Sequence, residues 1–459
     1  MAAGDEDDFY VITGIQEGRS GPDGKIVPLR LEVDSWYPPD PERFSRAWRQ
    51  VYSIQNSLFL WALKIFQEKS PEEKLSFFQI AGIHGSPYEP WDELDRTAAT
   101  GNQGYCTHNS LLFLPWHRPY LALYEQVLHN IMIEEVIETI PERFEAVRKE
   151  WKSAADTWRL PYWDWAVKKS RPDPASPGTQ RAVYDLPIIA KTPRIKVFNL
   201  EDPKGHKMEI GNPMYQFRIP GGVNMGSLST FQFSKSLATS RWAPFNPKQR
   251  LDVRSWARGT VDNDSVAAAL ETYQWFTDAV ENLPLAEMVY RLYTPNHVQT
   301  YGQFATTRKP AEEDDGKPST YLNLEFIHNN IHKWNNAIGA TRTRSWFATE
   351  YNEPGNWDLT PGTISRANTP LAPFHKDAQG TFWDTLGIEK WTTLGYTYPE
   401  LQPWLDRYRT DDGFDDDNYK HHVREQLRAL YRPEGSPTVA PWDDPDFNGD
   451  YIVNVTYDR

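Results

Sequence analysis

Between Leu324 and His332 the chain reads LEFIHNNIH, and the two histidines of this stretch set the terms for reading the fold. Residues four apart on a helix share a face, so His328 and His332 can point two imidazoles at one ion. The surrounding pattern reads as a helix over Asn323 to Asn336. It is not the zinc-protease arrangement, in which Glu directly follows the first His as the base, because Asn329 stands there. On its own the pair is a weak signal, and two core or surface histidines are the commoner reading.

A second group lies upstream. His84, His108 and His117 are three of the eleven histidines, and the only cysteine, Cys106, sits two residues before His108. Rigid, aromatic residues flank His117 in Pro115-Trp116-His117-Arg118-Pro119-Tyr120. A buried cysteine beside a hydrogen-bonded histidine is the plainer reading of the bare pattern. An imidazole-rich, thiolate-poor set suits copper, zinc, iron or nickel, so residue type does not choose the metal.

Outward from these motifs, the 459 residues allow about three domains or one large domain with insertions. The net charge of −14 and the lack of a basic cluster argue against nucleic acid or anionic membrane surfaces as partners. The longest apolar runs, such as Ser57 to Phe66, fall well short of the roughly 18–20 residues of a membrane span. Met1 to Asp8 is acidic and polar, unlike a secretory or transit leader, and the expected location is cytoplasmic. A single cysteine excludes a disulfide framework and any Cys-rich metal site. With 19 Trp and 36 Pro, the expected core is built on large flat side chains joined by Pro-punctuated loops.

Apolar spacing predicts helices over Pro41 to Gln67, Pro119 to Ile137 (with Pro119 in the first turn), Pro141 to Trp151, Ser265 to Phe276 and Tyr419 to Tyr431. Tyr10 to Glu32 reads as short strands and turns, Asp411 to Asp417 as a solvated acidic loop, and Ser436 to Gly449 as a linker. Tyr451 to Tyr457 alternates like one strand. Long connections are expected over Lys168 to Pro187 and Pro354 to Pro373.

The motifs come in an order that carries more than any one of them. Gly82 to Gly85 (GIHG), Gly104 to Ser110 (GYCTHNS), Leu114 to Glu125 (LPWHRPYLALYE), Leu160 to Trp165 (LPYWDW) and Leu324 to His332 are followed by Pro373-Phe374, Phe382-Trp383 and Leu394 to Glu400 (LGYTYPE). Together they resemble the fungal tyrosinase and catechol oxidase family of type-3 dinuclear copper proteins, from about Phe9 to the end of the chain.

The resemblance implies a mainly α fold: a four-helix bundle holding a dinuclear copper site, with long irregular loops and short peripheral strands. It implies a copper-binding central domain over residues 1–435, incomplete around 335–346, and a linker plus the first strand of a truncated C-terminal β-domain over 436–459. His84, His108 and His117 match the ligands of the first copper, and His328 and His332 match two of the three ligands of the second. Cys106 matches a cysteine that forms a thioether to a ligand ring, here that of His108. Glu325 and Asn329 match a pair that orients a water to take the proton of an incoming phenol, whose pKa is near 10; Glu325 also reads as an ordinary support for a ligand histidine. Trp163, Asp164 and Trp165 are expected to support packing. The implied reaction takes monophenols to o-diphenols and these to o-quinones, with dioxygen as co-substrate.

The chain departs from the family pattern after His332. The segment that supplies the third histidine of the second site is not recognisable, and a few tens of residues look deleted between Asn335 and Trp346. His375 is the foremost substitute ligand, ahead of His421-His422; His129, His206 and His297 have no motif around them. A degenerate member retaining one copper is therefore the alternative reading. A haemocyanin-like dioxygen binder has the same defect, and a zinc hydrolase is the outside alternative.

Overall fold

The computed structural model describes residues 9–85, 88–93, 104–221, 223, 227–228, 231–232, 237–242, 258–272, 285–293, 301–308, 322–334 and 366–432. The expected strand over Tyr451 to Tyr457, the linker before it and the region around 335–346 lie outside these residues.

Helices dominate. The first long one, α1 (Arg46–Glu68), begins where the Ser45 hydroxyl accepts the Trp48 amide at 3.2 Å and buries Ile54, Leu58, Phe59, Ala62, Leu63 and Phe66. A short α2 (Phe77–Ile83) follows, capped by Ser76. Next comes α3 (Phe113–Ile131), extended by a π-helical turn over Met132–Ile137, and then α4 (Glu145–Asp156). Pro119 is not in the first turn of α3, as its position in the sequence predicts, but well inside the helix. The first-turn proline is Pro115, where a missing N–H has no intrahelical partner to lose. Packing of the buried Trp116, Ala122 and Leu123 carries the helix through Pro119.

These elements and the N-terminal segment share one apolar core, in which Trp36, Trp116, Trp151 and Trp158 are all but fully buried. A second core joins α5 (Asn263–Thr272), α6 (Leu285–Leu292) and α8 (Leu324–Trp334) through Val266, Leu270, Leu285, Met288, Phe326 and Ile327. Between α6 and α8 lies the single turn α7 (Tyr301–Ala305). The last helix, α9 (Asp416–Tyr431), packs on α6.

Strands are short antiparallel ribbons: β1 (Lys169–Pro172) with β2 (Gln180–Val183), β3 (Arg194–Phe198) with β4 (Lys207–Gly211), β5 (Ser227–Leu228) with β6 (Phe231–Gln232), and β7 (Arg409–Thr410) with β8 (Gly413–Phe414). The acidic run Asp411 to Asp417 is exposed as expected, yet it is structured. Its first part turns the β7–β8 hairpin, and Asp415 caps α9 by accepting the Asn418 amide at 3.0 Å. Mainly α, with short peripheral strands, is the architecture the sequence resemblance implies. Among the described residues no helix is long and apolar enough to cross a membrane.

The N-terminal segment is braced by the far end of the chain. The Ile12 amide donates to the His375 carbonyl at 2.9 Å, and the Trp383 indole donates to the Ile12 carbonyl at 2.8 Å. Gly14 and Gly395 allow two backbones to touch: a Cβ on Gly395 would stand 1.8 Å from the Ile15 carbonyl oxygen, and one on Gly14 would stand 2.1 Å from that of Leu394. Beside them Arg30 grips Glu125 of α3 with two hydrogen bonds, of 3.1 and 2.9 Å, and lies 3.5 Å over the Tyr396 ring. Glu125 Oε1 also accepts the Leu160 amide at 2.6 Å, which joins the LPYWDW segment to α3.

Candidate metal centre

His84, Cys106, His108 and His117 come together although three different elements supply them. His84 closes the C-terminal end of α2. Cys106 and His108 lie on the loop that leads into α3, and His117 is on the second turn of that helix. Their ligand atoms all lie within 4.8 Å of one another. Ser110 turns the loop into α3: its hydroxyl accepts the Leu112 amide and its carbonyl the Phe113 amide, each at 3.1 Å.

One contact fixes which nitrogen His117 presents. Its Nδ1 lies 2.6 Å from the carbonyl oxygen of Phe113, one helical turn back. A carbonyl can only accept, so Nδ1 carries the proton and Nε2 carries the lone pair. That Nε2 faces the His84 Nε2 at 3.1 Å and the Cys106 sulfur at 3.7 Å. Two nitrogens each about 2 Å from one tetrahedral ion stand about 3.3 Å apart, so the pair is spaced like co-ligands. The Cys106 sulfur is 3.3 Å from His108 Nδ1. Burial, and then the charge of Glu325, push the Cys106 thiol well above its ordinary range, so it is held protonated. Tyr120 stacks on His84 with ring centres 5.7 Å apart and donates its hydroxyl to the Ile80 carbonyl. Burial pushes that phenol up as well.

A further histidine approaches this group from α8. The ring of His328 lies 4.8 Å from that of Phe113, 5.7 Å from that of His108 and 5.9 Å from that of His117. Its Nδ1 is 3.1 Å from the Asn329 side-chain oxygen, an acceptor, so Nδ1 carries the proton and Nε2 the lone pair. His332 follows one turn later on the same helix, and its side chain lies outside the described residues. Phe113 touches His108, His117 and His328, so one apolar ring packs against all three.

Glu325 is fully buried on α8, just under one turn before His328. Its Oε1 accepts the Asn109 amide at 2.6 Å. Its Oε2 accepts the Thr306 hydroxyl at 2.7 Å and the Thr307 amide at 2.9 Å. Burial raises its carboxyl above the ordinary range, and these hydrogen bonds pull part of the way back.

The substitute ligands do not join this group. His375 is buried between Phe9 and Phe382, at ring distances of 4.1 and 4.5 Å, and its Nε2 faces the Asp92 carbonyl at 3.1 Å. Its ring is a packing piece of the N-terminal brace. His422 lies on α9 against Tyr408, 5.6 Å away, His206 pairs with Asp202 on the surface, and His129 is buried near Asp156. His297 lies outside the described residues.

Sequence reasoning missed Phe113, Asn109, Thr306 and Thr307. Phe113 acts partly through a carbonyl, which every residue has. Thr306 meets Glu325, and Thr307 meets both Glu325 and Asn109, only through the tertiary fold. Asn109 alone left a trace, since it adopts a φ of 53° that Asn tolerates better than most residues.

The family description "Common central domain of tyrosinase" matches residues 74–369. A tyrosinase of Aspergillus fumigatus is 30% identical over 98% of this chain and 74% of its own length. One of Podospora anserina is 30% identical over 92% of this chain and 68% of its own. Among solved structures, a copper-bound mutant of the active tyrosinase of Aspergillus oryzae superposes with a TM-score of 0.66 at 25% identity, covering 92% of this chain and 99% of that one. A copper-depleted form of that enzyme, complexed with L-tyrosine, gives a TM-score of 0.65 at 25% identity over 92% of this chain and 99% of that one.

Proposed function

Because this chain belongs to the tyrosinase family and is a tyrosinase-like copper oxidoreductase, we propose that it hydroxylates monophenols to o-diphenols and oxidises these to o-quinones with dioxygen. The observation that carries the reading is the convergence of His84, His108 and His117, with the Phe113 carbonyl committing the His117 Nε2 lone pair to a shared centre. The residues fit copper: three imidazoles converge, with the apolar ring of Phe113 packed against His108 and His117.

Copper, when bound, would supply dioxygen binding and the electron transfer to it. The remaining work falls to the chain. His84, His108 and His117 would hold the first ion, and His328 with His332 would contribute to the second. Glu325 and Asn329 would orient a water that takes the phenol proton. Its burial makes the Glu325 carboxylate a better proton acceptor than an exposed one, and Oε1, with one hydrogen bond, retains a lone pair for such a water. Cys106, already in contact with the His108 ring, would be joined to it by a thioether, its S–H and a ring C–H giving way to an S–C bond while dioxygen takes up the two electrons and two protons, and the link would fix the ring's orientation. Residues 1–435 would form the copper domain, and 436–459 the start of a further one.

One observation favours a second reading, a member that holds one copper at most and has little activity. No third histidine for the second site is recognisable after His332, and His375 is committed elsewhere. Copper counted per purified, copper-loaded chain separates the two. Two tightly held ions, with catechol oxidation lost on chelation and restored by copper but not zinc, support the oxidase. One ion or none, without oxidation, overturns the oxidase and supports the degenerate member. The same preparation, weighed intact, reports the thioether as a loss of the mass of two hydrogens.

A further inference from the structure

The carboxylate of Glu325 gathers donors from two separate stretches of chain, and the outcome is a mechanical link across the metal centre. We infer that Asn109, Thr306 and Thr307 are positioning residues: acting through Glu325, they hold the His108 loop against the helix of His328 and so fix the spacing between the two halves of the centre.

Both ends of the link sit next to ligands. Asn109 follows His108 directly, and its amide donates to Glu325 Oε1 at 2.6 Å. Glu325 precedes His328 by three residues on α8, about 4.5 Å of helix rise, so a displacement of the carboxylate is passed to the ring. The third corner is the segment after α7. The Thr306 hydroxyl and the Thr307 amide donate to Glu325 Oε2 at 2.7 and 2.9 Å, and the Thr307 hydroxyl lies 3.2 Å from the same oxygen. The Thr307 hydroxyl also bonds the Asn109 side-chain oxygen, which closes a triangle of Asn109, Glu325 and Thr307. Tyr301 of α7 adds a strap to the same loop by donating its hydroxyl to the Leu111 carbonyl at 3.3 Å.

Glu325 and Thr307 are buried, at 0% and 3% exposure, as is Thr306 at 2%, and Asn109 is half-buried. A carboxylate in such a place is costly unless donors surround it, so its position is dictated by theirs. The φ of 53° at Asn109 turns the backbone so that the N–H next to the ligand faces Glu325.

The inference rests on the copper reading proposed above, and its test is chosen to fail separately. T307V removes the hydroxyl and keeps the β-branched shape. N109G removes the side chain at a φ that glycine adopts freely, and T307S restores the hydroxyl. Histidine ring resonances of 15N-labelled, metal-free protein are recorded together with the affinity for the first copper ion.

T307V and N109G are expected to shift the signals of both His108 and His328, to leave those of His129 and His206 in place, and to weaken first-copper binding about tenfold. T307S is expected to behave like the parent. Unchanged His108 and His328 signals in both variants overturn the inference. So does a T307S as perturbed as T307V, or a disturbance that spreads to His129 and His206. If T307V does not fold, N109G decides alone. A parent that binds no copper fails the copper reading, and the ring signals still decide the link.

Discussion

His117 offers Nε2 to the centre because its other nitrogen is already spent on a carbonyl one turn back, a choice made before any metal arrives. His129, further along the same helix, shows what burial does to an imidazole without that arrangement. Its Nε2 is buried without a partner, and desolvation, only partly opposed by Glu17 and Asp156, pushes its pKa down to about 4. The unfolded chain binds a proton there below about pH 6.5 while the folded chain declines it until about pH 4. The unfolded state therefore holds more protons in that window, and stability falls as the pH is lowered through it. The loss at His129 should be on the order of 3 kcal/mol by pH 4. Urea unfolding at several pH values should show a shallower acid slope in H129Q than in the parent, and identical slopes would count against it. None of this can be read from position 129 in the sequence, where no motif surrounds the histidine, whereas His108 and His117 stand in motifs rigid enough to be recognised.

At the scale of elements, α3 is the hub. It supplies His117 on one turn and Glu125 two turns later, and Glu125 holds both Arg30 and the Leu160 amide inside the protein. The ion pair is almost wholly buried, with side-chain exposures of 5% and 0%. Removing one charge strands the other, so E125Q should cost about 3–5 kcal/mol in urea unfolding, and pairing it with R30M should recover much of that. Helix α8 was legible because its spaced histidines and apolar residues follow one period. The extent of α3 was not. Pro119 reads locally as a helix start, and only the packing of Trp116 and Leu123 in the core shows the helix running through it. The clasp around Glu325 was illegible for another reason: Thr307 and Asn109 are 198 residues apart, and no local pattern marks either as a partner of the other.

Across the whole molecule, the two ends of the described chain are fitted together at the Gly14–Gly395 contact. A methyl group on Gly395 would collide with the Ile15 carbonyl and sit at a φ of 80°. G395A should therefore cost about 3 kcal/mol or more. Gly205 has a φ of 93° with open space around its Cβ position, so G205A should cost only about 1 kcal/mol, for the backbone strain alone. Urea unfolding of the two variants side by side separates collision from strain.

The same brace has a consequence for how the protein is made. Ile12 meets Trp383 across 371 residues of sequence. At about 5–20 residues per second, a ribosome takes roughly 20–75 s to supply that partner. Throughout that interval the nascent N-terminal segment can lean on α3, where Gln126 Oε1 accepts the Thr13 and Gly14 amides at 3.0 Å each, but it lacks the half of its clasp that Trp383 and Leu394 supply and is a natural client for chaperones. Folding of the first helices and the docking of the N-terminal segment on α3 can begin early, but the clasp over that segment closes only after Gly395 has been made.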